Sequence, residues 1–214
     1  MLVERLRLGP LETNCFLISD EVGGPVLVID PGGDADRLKE AIAGRHVQAV
    51  VLTHAHFDHL GAAESLAREG IEILAHELDA ERVLTPAAHG TGGAIFGFDD
   101  HVPSGVDRLL SDGETFTVGT LAVEVIHTPG HTQGGICLLV SEPGTATKHL
   151  FSGDTLFAGS VGRTDMPGGD ARALSQAIAT RLAPLEPDTI VHPGHGPDTT
   201  ISREQRINPF WPRA

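Results

Sequence analysis

Apolar residues in this chain fall mostly in short, β-branched runs closed by glycine, proline or aspartate, a pattern of strands more than of a helical bundle. Residues 2–8 (LVERLRL) alternate apolar and polar, which predicts a strand with one buried face. Asn14 to Ile18 and Val26 to Ile29 read as the next two strands, parted by a turn at Gly23-Gly24-Pro25. Asp30-Pro31-Gly32-Gly33 stops the third strand, and Asp34 is placed to cap a helix running to about Ala43. Val47 to Leu52 (VQAVVL) predicts a buried strand, Gly61 to Glu69 a helix, Ile71 to Ala75 a short strand and Glu77 to Leu84 a helix. Strands and helices alternating in this way argue for mixed α/β layers.

Thr85 to Pro103 breaks the pattern, being glycine-rich and aperiodic, as functional loops, lids or disordered segments are. Ile95, Phe96 and Phe98 give it an apolar face, turned towards a substrate or, more commonly, anchored on the core. From Arg108 the strand signals return. Asp112-Gly113 reads as a hairpin turn, and Thr117 to Ile126 and Ile136 to Val140 as strands. Glu142 to Lys148 reads as a polar turn, followed by a short strand from His149 to Ser152. Leu174, Ala177, Ile178 and Leu182 form an apolar stripe along a helix from Ala171 to Leu182. Thr189 to Val191 is the last predicted strand, with a short helix near Ser202 to Arg206 and a tail of Asn208-Pro209-Phe210-Trp211. No composition break divides the chain, so residues 1–214 are expected to form a single domain of two mixed sheets faced by helices. Strands run into His127-Thr128-Pro129-Gly130-His131 and again into His192-Pro193-Gly194-His195, a faint echo between the two halves.

Composition narrows the function classes. The 15 basic against 29 acidic residues leave a formal net charge of −14, which opposes binding to nucleic acid or an anionic membrane surface. No apolar run reaches the length of a membrane span, and the N-terminus (MLVERLRLGP) has no apolar signal core. Two cysteines, Cys15 and Cys137, are too few for a disulfide framework, so the cytoplasm is the expected compartment. Both lie in apolar runs, where a packed thiol is expected rather than a nucleophile.

The chemistry concentrates at Thr53-His54-Ala55-His56-Phe57-Asp58-His59, where a strand ends in three histidines and an aspartate. Neutral imidazoles and carboxylates are the ligands of borderline divalent metals such as zinc. Three more strand ends carry suitable groups: His131 after Thr128-Pro129-Gly130, Asp154 after Gly153, and His195 between Gly194 and Gly196. The glycines allow backbone to approach a bound ion closely. The other histidines, His46, His76, His89, His101, His127, His149 and His192, lack ligand context; for His127 and His192 a place behind the ligands is the alternative to the expected surface or packing role.

These motifs, in this order, resemble the metallo-β-lactamase superfamily. Gly162-Arg163-Thr164-Asp165 and the closing Asn208-Pro209-Phe210 look like its single-domain glyoxalase II-like hydrolases, which act on hydroxyacylglutathione thioesters. The resemblance implies a four-layer αβ/βα sandwich and two divalent metal ions, zinc first, with iron or manganese as the other options. His54, His56 and His131 would bind the first ion, Asp58, His59 and His195 the second, and Asp154 would bridge them. It further implies attack of a metal-bridging hydroxide on a small-molecule thioester, with Asp58 orienting the hydroxide and a thiolate leaving. The charge of two divalent ions exceeds that of two aspartates and one hydroxide, leaving an electrophilic centre, and zinc-bound water ionises near about pH 7. Arg163, whose guanidinium can fork onto a carboxylate, is the candidate substrate contact, with an ion pair to Asp165 or Asp170 as its alternative.

Full-length glyoxalase II enzymes hold glutathione with tyrosines and a helical C-terminal domain. This chain has no tyrosine, and about twenty residues follow His195, so a different thiol contact is expected. The rival within the fold is a persulfide dioxygenase, an oxidoreductase holding one iron through two histidines and a carboxylate. Those residues here would be His56, His131 and Asp154. Pro193-Gly194-His195-Gly196 favours a second metal and hence the hydrolase.

Overall fold

The computed structural model describes residues 1–212. Six strands form the first sheet, in chain order: β1 (Leu2–Leu8), β2 (Thr13–Ser19), β3 (Val26–Ile29), β4 (Val47–Leu52), β5 (Ile73–His76) and β6 (Arg108–Leu110). The first three pair antiparallel and the rest parallel, so the sheet is mixed. The second sheet is built from β7 (Thr115–Val118), β8 (Leu121–His127), β9 (Ile136–Ser141), β10 (Lys148–Gly153), β13 (Ile190–Pro193) and β14 (Thr199–Thr200). Its strands run antiparallel except for β10 beside β13. A small ribbon, β11 (Leu156–Phe157) with β12 (Ser160–Val161), stands apart from both sheets.

Period-two alternation decides which layer each side chain joins. On β2, Phe16 and Ile18 enter the core between the sheets, while Cys15 and Leu17 face the helices. Leu27 and Ile29 against Val26 and Val28 on β3 repeat this division, as do Ala49 and Val51 against Val50 and Leu52 on β4. The outer face of the first sheet is covered by α1 (Ala35–Ile42), through Leu38 and Ile42, and by α3 (Ala63–Ala67), through Ala63 and Leu66. The outer face of the second sheet, with Cys137, Leu139, Leu150 and Val191, is covered by α5 (Ala171–Ala177), its π-type continuation Ile178–Leu182, and α6 (Ile201–Ile207). The predicted stripe Leu174, Ala177, Ile178 and Leu182 is the buried face there. The result is helix, sheet, sheet, helix: the four-layer αβ/βα sandwich expected.

Local departures have identifiable causes. Thr117 to Ile126 is two strands, because Gly119 takes φ +56° and turns the chain between β7 and β8. Asp112-Gly113 is a crossing from the first sheet to the second, since β6 and β7 lie in different sheets. The helix expected over Gly61 to Glu69 begins earlier, inside the histidine motif, as α2 (Phe57–Leu60), and resumes as α3. Asp34 precedes α1, but its side chain makes no cap bond and accepts instead from the Gly9 amide, 3.0 Å away. Residues 85–103 carry two 3-10 turns, Pro86–His89 and Gly93–Phe96. Phe96 and Phe98 stack on Phe57, and the Phe57 amide donates to the Thr91 carbonyl, so this segment is anchored beside the histidine motif, although Ile95, Phe96 and Phe98 all keep an exposed face. Among the described residues, no helix is long and apolar enough to cross a membrane.

Candidate metal centre

The strand ends of both sheets meet at one edge, where seven side chains converge. His54 and His56 follow β4, Asp58 and His59 lie on α2, His131 follows β8, Asp154 follows β10 and His195 follows β13. Six of the seven are nearly enclosed; His195 is the most open, with its side chain 30% exposed. Ligand-capable atoms of His54, His56 and His131 lie within 4.8 Å of one another, and so do those of Asp58, His59 and His195. Asp154 stands between the sets: Oδ2 is 3.5 Å from His131 Nε2 and 3.7 Å from His195 Nε2, and Oδ1 is 3.4 Å from His59 Nε2.

Hydrogen bonds fix which ring nitrogens carry protons. Asp30 Oδ2 accepts from the Thr53 hydroxyl at 2.6 Å, so that hydroxyl accepts from His54 Nδ1 at 3.1 Å and His54 Nε2 presents a lone pair. His131 Nδ1 donates to the Arg163 carbonyl at 2.7 Å, leaving its Nε2 as a lone pair too. These two lone pairs face each other at 3.2 Å, and His56 Nδ1 lies 3.1 Å from His54 Nε2. Such an arrangement repels itself unless a cation sits among the nitrogens. Two ligands roughly 2.0–2.1 Å from one tetrahedral ion lie about 3.3 Å apart, close to the observed spacing.

The second set makes the same demand. His59 Nδ1 donates to Asp30 Oδ2 at 2.9 Å, so its buried Nε2 faces Asp58 and Asp154 with no hydrogen-bond partner. Asp154 Oδ1 is likewise buried and unpartnered. Asp58 Oδ2 accepts from the Thr13 hydroxyl at 3.0 Å and faces His195 Nε2 at 3.2 Å.

Charge preferences agree with this reading. Burial first, and then the neighbouring histidines, hold His54 well below the usual imidazole range, and burial and His131 bring His56 down to about 3. Burial would lower His59 as well, but Asp154, Asp58 and Asp30 prevail and raise it well above its ordinary value. Burial would raise Asp58 and Asp154, yet His59 and its neighbours keep both below the usual carboxylate range. The site therefore holds His54 and His56 neutral beside ionised Asp58 and Asp154. Those carboxylates draw positive charge to His59, the charge a divalent ion would supply in its place, so the residues present fit divalent metal ions.

Three glycines leave room for this packing. A Cβ on Gly194 would collide with Asp154 Oδ1 and lie 2.7 Å from His59 Cε1. One on Gly162 would strike the Asp154 carbonyl, and one on Gly153, at φ +46°, would strike the Thr53 hydroxyl.

Arg163 reaches the centre through its carbonyl. Its guanidinium forms a two-point ion pair with Asp165, both contacts at 2.8 Å, which is the alternative the sequence left open. His127 and His192 are not in either ligand set: His127 stacks on His76, and His192 stacks on His149 and Phe151. Sequence reasoning missed Asp30 and Thr13, which read as a strand stop and a strand flank. The signal for Asp30 was its place at the end of β3, the same strand-end position the converging side chains occupy.

Comparison with known proteins places this geometry. The family model of the metallo-beta-lactamase superfamily matches residues 8–195, which span all seven converging residues. The chain belongs to the metallo-beta-lactamase superfamily. Among relatives, the hydroxyacylglutathione hydrolase GloC of Haemophilus influenzae is 37% identical, the alignment covering 98% of each chain. Among solved structures, the BLEG-1 B3 metallo-beta-lactamase superposes with a TM-score of 0.87 at 35% identity, over 98% of this chain and 99% of that one. TTHA1623, solved in a di-iron-bound form, superposes with a TM-score of 0.80 at 38% identity, over 97% of this chain and 99% of that one.

Proposed function

We propose that this chain is a binuclear metal-dependent hydrolase that cleaves the thioester of a small S-2-hydroxyacyl thiol. The observation that carries the reading is the second ligand set: Asp58, His59 and His195 converge beside His54, His56 and His131, with Asp154 facing both. His54, His56 and His131 would hold one ion and Asp58, His59 and His195 the other, with Asp154 shared. When bound there, two divalent ions would supply water of lowered pKa and polarise a carbonyl oxygen. Zinc is the first candidate, and the di-iron form of TTHA1623 makes iron a close second.

The chain's own groups define the rest. Thr13 fixes one oxygen of Asp58, which leaves the other free to orient the attacking oxygen. The thiolate of a thioester departs without a proton, so no separate general acid is required. The likeness to GloC supports the thioester, since hydroxyacylglutathione is one. Arg163, at the rim beside His131, is the proposed contact for a carboxylate of the thiol; to serve, it must exchange its Asp165 partner.

The test is free-thiol release from S-lactoylglutathione by metal-loaded protein. The reading predicts release that falls by about 10²-fold or more in Asp58→Ala. Oxygen uptake with glutathione persulfide and no thiol release from any thioester would establish the dioxygenase instead. Turnover of a chromogenic β-lactam alone would move the substrate class to amides.

A further inference from the structure

Each of the two ligand sets is divided between the halves of the sandwich. His54 and His56 come from the first half and His131 from the second; Asp58 and His59 come from the first half and His195 from the second. An ion can be held only if the two halves keep their relative position to within a few tenths of an ångström. Two buried polar side chains, neither of them in a ligand set, span the seam at these places.

Asp79, fully buried at the start of α4 (Ala80–Leu84), reaches out of the first half. Its Oδ2 accepts from the Ala55 amide, between His54 and His56, at 3.1 Å, and from the Thr132 hydroxyl, next to His131, at 2.6 Å. Its Oδ1 accepts from the Gly134 amide at 2.8 Å. Gly134 is a fitted partner: a Cβ there would stand 2.6 Å from the Asp79 nitrogen and 2.8 Å from its Cβ. Asp79 thus binds the amide between two ligands of the first set and the residue following the third.

Asn14, 1% exposed on β2, does the equivalent at the other set. Its Nδ2 donates to the carbonyls of Pro193 and Gly196, both at 2.9 Å, and its backbone amide donates to Gly194 at 2.8 Å. These three carbonyls enclose His195. The neighbouring residue, Thr13, holds Asp58.

We infer that Asp79 and Asn14 are positioning residues with separate duties, Asp79 setting the affinity of the His54/His56/His131 site and Asn14 that of the Asp58/His59/His195 site. The inference rests on the two-metal reading and adds a division of labour that the reading does not require. Hydrogen-bonded partners behind metal ligands typically govern affinity by about 10–100-fold. A purely structural role would instead lower the stability of the metal-free protein and weaken both sites together.

The experiment uses the full chain and zinc as the probe. Zinc affinities of the parent, Asp79→Asn and Asn14→Asp are measured by chelator competition, with ¹⁵N-histidine spectra reporting His131 and His195 separately. Melting of each metal-free protein is recorded alongside. Asp79→Asn keeps the shape but turns one acceptor into a donor, and Asn14→Asp sets a carboxylate against two carbonyls. The inference expects a loss of about 10–100-fold at the His131 site alone in Asp79→Asn, and at the His195 site alone in Asn14→Asp. Equal loss at both sites in either variant, or a shift only in metal-free melting, overturns it. If a variant fails to fold, Thr132→Val removes one Asp79 bond and Asn14→Ser removes the Asn14 reach, and the same site-by-site pattern decides. A parent that binds a single zinc overturns the two-metal reading itself, and the division of labour with it.

Discussion

At the scale of single residues, the centre depends on the side chains that hold the converging histidines and aspartates as much as on those residues themselves. Asp30 is buried, sits at φ +52° and accepts three hydrogen bonds, from the Thr53 amide at 2.7 Å, the Thr53 hydroxyl at 2.6 Å and His59 at 2.9 Å. Asp30→Ala strands three buried donors, so chemical denaturation of the metal-free protein should show a loss of roughly 2–4 kcal/mol. Gly194→Ala acts by contact alone, placing a methyl group against Asp154 Oδ1 and His59 Cε1. Titration with zinc should find its second site weakened by about 10-fold or more, with far-ultraviolet circular dichroism unchanged. The converging histidines and aspartates were legible in the sequence because they sit together in motifs and after short strands. Asp30, Thr13, Asn14 and Asp79 were not, because each acts on residues 23 to 182 positions away, and nothing local marks such partners.

Individual elements were legible where a short apolar run or a helical stripe is strong, as on β2, β4, β9 and α5. The reading failed where a single glycine overrides the pattern: Gly119 splits one apparent strand into β7 and β8. It also failed at Asp112-Gly113, where a sequence with hairpin chemistry joins two sheets, a matter of tertiary packing. The segment 85–103 shows how an aperiodic stretch can still be ordered by aromatic contacts, through Phe96 and Phe98 on Phe57. Phe96→Ala should release it, with faster amide exchange at Phe57 and Phe98 and a stability loss of about 1–2 kcal/mol.

Strands β10 and β13 supply an acid-sensitive contact. His149 Nδ1 and His192 Nε2 lie 2.9 Å apart, and His192 faces Asp198 at 3.2 Å. Burial first, and His192 next, push His149 down to about 4. Between its unfolded value near 6.5 and about 4, the unfolded chain binds the extra proton. This contribution to stability is therefore whole above about pH 6.5 and is lost as pH falls through about 4. Stability of the metal-free protein against pH should be flatter over that window in His149→Gln than in the parent.

For the whole molecule, two sheets press a shared core together and thereby bring strand ends from both halves to one edge. Phe151, 1% exposed in that core, packs edge-on against Phe16 with ring centroids 5.2 Å apart. The layer order and the meeting of strand ends at one edge were legible through the motifs and their resemblance, whereas the side-chain packing of sheet on sheet that brings the halves together leaves no local mark in the sequence. The family assignment fixes the architecture, while the substrate rests on what the centre holds. The most direct measurement is therefore the number of metal ions per chain in protein purified without added metal, set beside the same count for His195→Ala. The account predicts close to two ions in the parent and close to one in the variant. One tightly held iron in the parent, unchanged by His195→Ala, would contradict it.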